Sequence, residues 1–367
     1  MPQYDYLIVG GGITGAVFAH ELSKKGKRCL VIEKRGHIAG NIYDESQNGI
    51  LVHRYGAHIF HTSKKEIWAY INQFGEFNHF INSPIANYKG ELYNLPFNMN
   101  TFYQLWGTLM PQQALRRLEN ERMVYPHEPR NLEEQALSLV GPDIYEKLIK
   151  GYTEKQWGQA CHELPAFIVR RIPLRFTYDN NYFNDPYQGI PVDGYTALVE
   201  KMLQNSEVRL QTDYFQDRVF FNKIAKRIIY TGTIDRYFDY GLGQLAYRSL
   251  RFEDSCYNLP NYQGVAVMNF TDSDTPYTRS IEHKHFQFGE QPHTIVTREY
   301  SVAWEPGQEP YYPVNDSKNQ QVYERYCQLA KHEKNVVFCG RLAQYRYYNM
   351  DQVVEAALNR VKVELEL

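Results

Sequence analysis

The sequence predicts an α/β fold: a Rossmann-like dinucleotide-binding domain interrupted by a mainly helical insertion and followed by an antiparallel sheet domain. Three observations predict it. The first 33 residues read strand, glycine turn, helix, strand, acid. Residues 64 to 160 carry helical patterning over a length far beyond that of a connecting loop. Alternating segments at 265–270 and 294–299 read as sheet strands, and 227–232 and 336–341 as strands returning to the first domain.

The opening run Tyr4-Asp5-Tyr6-Leu7-Ile8-Val9 is apolar and β-rich and enters Gly10-Gly11-Gly12-Ile13-Thr14-Gly15, a G-x-G-x-x-G. Gly10 allows the tight turn, Gly12 lets the backbone approach a pyrophosphate, and Gly15 lets helix and strand pack closely. Ile13, Ala16, Val17, Ala19 and Leu22 mark a helix whose N-terminus offers free N–H groups and a positive dipole end to the phosphates. The next strand, 29–32, ends at Glu33, where a carboxylate accepts a ribose hydroxyl. Glycines at 36 and 40 let the following loop run close to a ligand. Residues 49–53 read as a short strand. His58 and His61 have no carboxylate or third ligand beside them in sequence, so no metal is expected.

In the insertion, 65–74, 101–106 and 112–123 read as helices. Asn131 and Glu134 have the spacing of a capping box opening 132–140. Gly141-Pro142-Asp143 breaks that helix before another at 144–150. A glycine-proline turn precedes a helix at 195–203, and 208–210 reads as a strand. A helix beginning near Asp351 brings a second N-terminus to the dinucleotide. The expected boundaries are 1–63 and 186–240 and 326–367 for the nucleotide domain, 64–165 for the helical insertion, 166–185 for a mobile lid, and 241–325 for the antiparallel sheet.

Composition narrows the partners. A net charge of −2 on 367 residues gives no broad basic field for nucleic acid. There is no apolar run long enough to span a membrane and no leader pattern. Five cysteines, Cys29, Cys161, Cys256, Cys327 and Cys339, include no C-x-x-C, which points to reduced thiols and a cytoplasmic location. Aromatics are the outlier, with 31 tyrosines and 19 phenylalanines, and suit a site that holds a base and a sugar. Only one glycine finger is present, so one resident dinucleotide is expected, with reducing equivalents supplied from outside.

Segments spread along the chain go further: His53 to Thr62, Asn94 to Thr101, Gly151 to Gly158, Ile172-Pro173 with flanking arginines, Asp179 to Phe183, Pro276 to Arg279, Glu309 to Asn315 and Gly340 to Leu342. In these segments, and in their order, the chain resembles bacterial UDP-galactopyranose mutases. The resemblance makes the first domain a Rossmann-like FAD-binding domain. It implies an isomerase interconverting UDP-galactopyranose and UDP-galactofuranose, active only with reduced FAD, whose N5 attacks the anomeric carbon while UDP leaves. It also implies a homodimer.

Residue by residue, the resemblance assigns Arg171 and Arg279 to the diphosphate and places His58 near the flavin, making these three the catalytic candidates. Cofactor contacts fall on Gly10, Gly12, Thr14, Gly15, Glu33, Lys34, Asn41, His58, Ile59, Arg341, Tyr348, Asn349, Met350, Asp351, Gln352 and Val353. Substrate contacts fall on Tyr182, Tyr312 and Tyr347 for diphosphate or sugar, and on Tyr152, Thr153 and Trp157 around uracil. Asn82 and Asn269 match uridine or loop contacts. Arg248 is a weaker match that could equally be a structural ion pair. Two positions depart from the family: Ala39 replaces a glycine, and Asn349 replaces an aspartate close to flavin and sugar. The competing readings are a flavin oxidase of the amine-oxidase type, which shares the N-terminal signal but needs neither phosphate arginine, and a non-catalytic nucleotide-binding protein.

Overall fold

The computed structural model describes residues 2–169 and 172–366. The chain opens with β1 (Tyr4–Val9), α1 (Ile13–Lys24) and β2 (Cys29–Ile32), followed by β3 (Asp44–Gln47), β4 (Ile50–His53) and β5 (Phe60–Thr62). Then come α2 (Lys65–Ile71), the hairpin β6 (Ile85–Tyr88) and β7 (Glu91–Asn94), α3 (Met99–Trp106), α4 (Pro111–Glu121), α5 (Leu132–Ile144) and α6 (Gly151–Trp157). The middle of the chain gives β8 (Tyr187–Gly189), α7 (Gly194–Leu203), β9 (Glu207–Arg209), α8 (Arg218–Ile224), β10 (Ala225–Tyr230) and α9 (Ile234–Tyr237). The last part holds β11 (Tyr247–Tyr257), β12 (Val267–Phe270), β13 (Arg279–Glu282), β14 (Thr294–Ala303), β15 (Tyr312–Pro313), α10 (Ser317–Ala330), β16 (Val336–Phe338) and α11 (Met350–Glu366).

Two sheets organise these elements. The first is all parallel, in the order β16-β10-β1-β2-β9. Leu7 and Ile8 in β1 are fully buried on opposite faces, as a sheet covered on both sides requires. One face packs with α1, α7 and α11, and the other carries Tyr214, Phe221 and Tyr237. The second sheet runs β15-β11-β14-β13-β12-β6-β7 and is antiparallel except where β12 lies parallel to β6.

That parallel pair is a departure from the sequence reading. The segment read as mainly helical contains the hairpin β6–β7, which extends the second sheet. Its strands are short and half-polar, so neither helical nor strand periodicity stands out over four residues. The capping box also differs. Asn131 accepts the N–H of Glu134, but the Glu134 carboxylate takes the N–H of Arg130 and not that of the cap residue. The predicted break occurs: at Gly141 the backbone leaves the helical region (φ 74°) before Pro142. A π-helical turn at Tyr145–Lys150 then leads into α6.

Candidate active site

The glycine finger is built as its spacing demands. Gly10 has φ +111°, a region costly to any other residue. A Cβ on Gly15 would stand 2.0 Å from the Gly10 carbonyl oxygen, so α1 meets β1 only because that atom is missing. Gly12 is different: a Cβ there would meet only Gly40 Cα, at 3.7 Å. No side chain caps the start of α1, which leaves its first N–H groups to a ligand. The buried Glu33 carboxylate is held by the N–H groups of Gly11 (2.8 Å) and Arg35 (3.0 Å) at the end of β2. Lys34 pairs with Glu309 (2.6 Å), as does Arg35 (2.7 Å), and Arg35 also donates to Asn41.

The C-terminal return reaches the same place. Gly340, at φ +97°, presses on Thr14 of α1; a Cβ there would lie 2.8 Å from Thr14 Oγ1. Arg341 donates to the carbonyl of Tyr348 (2.5 Å), fixing the segment Tyr348, Asn349, Met350 that opens α11. Asn349 N–H is taken by Gln352 Oε1, and Asn349 O receives the N–H of Val353. Asp351 Oδ1 is buried without a partner.

His58 follows β4 in the loop to β5. Its N–H donates to His53 Nδ1 (3.3 Å), and its carbonyl accepts the Tyr195 hydroxyl (3.1 Å), which holds the Ile59 side of the loop against the core. Behind it, His53 N–H donates to His283 Nδ1, and His283 Nε2 bonds Thr297 Oγ1. Burial pushes both His53 and His58 down to about 3, so the pair is neutral. His58 Nδ1 is itself a buried atom with no partner.

Strand register brings three polar side chains together. Asn269, Arg279 and Glu299 lie side by side on β12, β13 and β14. Both Nε and Nη2 of Arg279 donate to Glu299 Oε1, at 2.9 and 2.6 Å. Burial alone would lower the Arg279 guanidinium, but the Glu299 carboxylate overrides it and keeps it well above its ordinary value. The Arg279 charge lies close enough to act on His58, Tyr152, Tyr182 and Tyr312. Burial raises the Tyr152 hydroxyl to about 12 and raises Tyr182 and Tyr312 too, so all three are protonated donors at neutral pH. Tyr312 stacks on Tyr347 (5.2 Å), with Arg341 over both rings.

Next to this group stands α6, which carries Tyr152, buried Thr153 and Trp157. Asn82 is buried nearby in the fold: its carbonyl accepts the Tyr182 N–H and its N–H goes to Gln188. Asn269 Oδ1 is buried and unpartnered. Arg248 has no carboxylate partner among the described residues; it donates to Gln156 O (2.9 Å) and Ser301 (3.1 Å), at the C-terminus of α6. A cation there satisfies the helix end. Arg171 lies outside the described residues.

A family model described as UDP-galactopyranose mutase matches residues 147–347. A model described as an NAD(P)-binding Rossmann-like domain matches residues 8–74. A protein described as a probable UDP-galactopyranose mutase from Klebsiella pneumoniae is 39% identical over 364 residues, 98% of this chain and 94% of its own. The chain belongs to the UDP-galactopyranose mutase family. An Escherichia coli relative, dTDP-fucopyranose mutase, is 38% identical over 96% of both chains. A crystal structure of reduced UDP-galactopyranose mutase shares the fold, with a TM-score of 0.76 over 100% of this chain and 94% of that one, at 14% identity.

FAD is the cofactor of the mutase family, and the residues fit it. The uncapped α1 N-terminus, the bare Cα at Gly12 and the anchored Glu33 form a cradle for a pyrophosphate and a ribose. His58 Nδ1 and Asp351 Oδ1, both at positions the resemblance gives to the cofactor, are buried polar atoms without a partner in the protein. Glu299 is a site residue that the sequence reading missed. The alternation of 294–303 puts it on one face with buried Ile295 and Thr297, and a carboxylate on that alternating face is the signal that could have found it.

Proposed function

We propose that this member interconverts UDP-galactopyranose and UDP-galactofuranose, with Arg279 as the single observation that carries the reading. A half-buried arginine, held from one side by Glu299 and close to the protonated tyrosines Tyr152, Tyr182 and Tyr312, suits a diphosphate and has no counterpart in the needs of a small amine. The amine-oxidase alternative is therefore the weaker one.

When bound, reduced FAD supplies the nucleophilic nitrogen for the anomeric carbon. The chain's residues do the rest. Arg279 commits Nε and Nη2 to Glu299 and offers Nη1 to the diphosphate, where charge grows as the glycosidic bond breaks. Tyr182, Tyr312 and Tyr347 donate to phosphate or sugar oxygens, and the family resemblance adds Arg171 to the diphosphate. Tyr152, Thr153 and Trp157 hold the uracil, with Asn82 and Asn269. Closure of 166–185 over the ligand excludes water. His58, kept neutral, offers a polar neighbour that brings no charge to the cofactor.

A second reading is favoured by the Escherichia coli relative: the base and sugar could be those of dTDP-fucopyranose. Reduced enzyme offered UDP-galactofuranose, UDP-N-acetylgalactosamine and dTDP-fucofuranose side by side separates these readings. The first is expected to turn over fastest; preference for the deoxy sugar would transfer the assignment. The homodimer and the cytoplasmic location belong to the same proposal, supported by the resemblance and by the five free thiols respectively. No helix among the described residues is long and apolar enough to cross a membrane.

A further inference from the structure

Lys155 lies in α6 between the residues assigned to the base, two positions after Thr153 and two before Trp157. Its Nζ donates to three backbone carbonyls, those of Phe270 (2.8 Å), Thr275 (3.0 Å) and Tyr277 (3.1 Å). An ammonium has three hydrogens and no acceptor, so all of its capacity is spent on one turn. That turn joins β12, which carries Asn269, to β13, which begins at Arg279. It is closed by Phe270 N–H on Thr278 O and by Thr275 N–H on Asp272.

Two further contacts bind α6 to the same sheet. Gly151 starts the helix against the turn: a Cβ there would stand 2.5 Å from Thr271 O and 2.9 Å from Asp272 C. At the far end, Gln156 O accepts both Ser301 Oγ (2.7 Å) and Arg248 Nε (2.9 Å). The helix is thus docked on the sheet through backbone carbonyls at both ends, with Lys155 between them.

We propose that Lys155 is a positioning residue that sets the spacing between the base-contacting helix and Arg279, and so the length of nucleotide diphosphate the cleft accepts. The inference rests on the reading of this cleft as a nucleotide-sugar site. Three carbonyls converging on one point suit a compact ammonium and not a planar guanidinium. Burial lowers the Lys155 ammonium to about 8, against the pull of Asp272, the carboxylate that faces it from the same turn. Above that pH a neutral amine offers two hydrogens to three carbonyls, so the clamp weakens as pH rises.

The test is UDP titration of FAD-loaded enzyme, wild type and Lys155→Met, from pH 7 to pH 9, with steady-state kinetics alongside. Lys155→Met is expected to lose about tenfold or more in UDP affinity at pH 7, raising KM while kcat changes less than about threefold, with FAD content unchanged. Wild-type affinity is expected to fall through about pH 8, and that limb to be absent in the variant. Equal affinity of the two proteins for UDP at pH 7 overturns the positioning role. Should Lys155→Met fail to fold, Lys155→Arg decides: a planar guanidinium cannot meet all three carbonyls, so the same loss of UDP affinity is expected, and wild-type affinity in that variant overturns the role. Wild type that does not bind UDP at pH 7 overturns the nucleotide-sugar reading and this role with it; wild type that binds while the variant matches it overturns this role alone.

Discussion

Arg279 gives two N–H groups to a single oxygen of Glu299, Oε1, and the other oxygen, Oε2, is buried with no partner. That oxygen faces Gly56, where a Cβ would lie 3.1 Å away. Glu299 therefore orients Arg279 from one side and meets the loop that carries His58 from the other, joining the two.

Removal of either member should be felt in catalysis and not in cofactor content. Arg279→Ala is expected to lower kcat/KM by about 10³-fold, or about 4 kcal/mol of transition-state stabilisation. Glu299→Gln, which keeps the shape but weakens the charge-assisted pair, should cost about 10- to 100-fold. Both should purify yellow. Loss of FAD from either would place the pair at the cofactor and not at the diphosphate.

Gly12 and Gly15 should fail in different ways. Gly15→Ala drives a Cβ to within 2.0 Å of backbone, so α1 must separate from β1 and the protein should lose both stability and FAD. Gly12→Ala meets nothing closer than 3.7 Å, so thermal denaturation of the apoprotein should be within about 2 °C of wild type. Its FAD content should fall sharply because the methyl occupies the pyrophosphate's approach. Gly12→Ala with normal FAD loading would contradict the cradle.

These glycines show what was readable from the sequence. Strand, finger, helix and terminal acid are local, and local geometry is fixed by residue type at fixed spacing. The site's second half was readable only as a resemblance, because Arg279 and Glu299 are 20 residues apart and meet through strand register. Lys155 was opaque for the same reason: its partners are carbonyls over 110 residues away, and a carbonyl has no sequence signature. The departure at Ala39 has a geometric meaning. Its backbone is left-handed (φ 70°), the conformation for which the family's glycine is suited. Asn349, the other departure, is exposed at the mouth of α11, and nothing in the structure explains it.

The histidine group makes folding stability pH-dependent. His53 and His58 are lowered to about 3 and His283 lies well below its ordinary value, all chiefly through burial. Below the unfolded value, about 6.5, the unfolded chain binds protons that the folded chain refuses. Stability is therefore full above that pH and is lost as pH falls toward 3. Denaturant titrations between pH 7.5 and 4.5 should show this loss, and His283→Phe should make it shallower. An unchanged pH slope in that variant would contradict burial of a neutral histidine there.

The central claim is that an FAD held at the glycine finger serves isomerisation of a nucleotide sugar bound by Arg279 and the tyrosines. Its most direct test is the conversion of UDP-galactofuranose to UDP-galactopyranose by the same preparation, oxidised and after reduction with dithionite. Turnover by the reduced protein, with none by the oxidised protein, is the predicted result; equal rates in both states would contradict it.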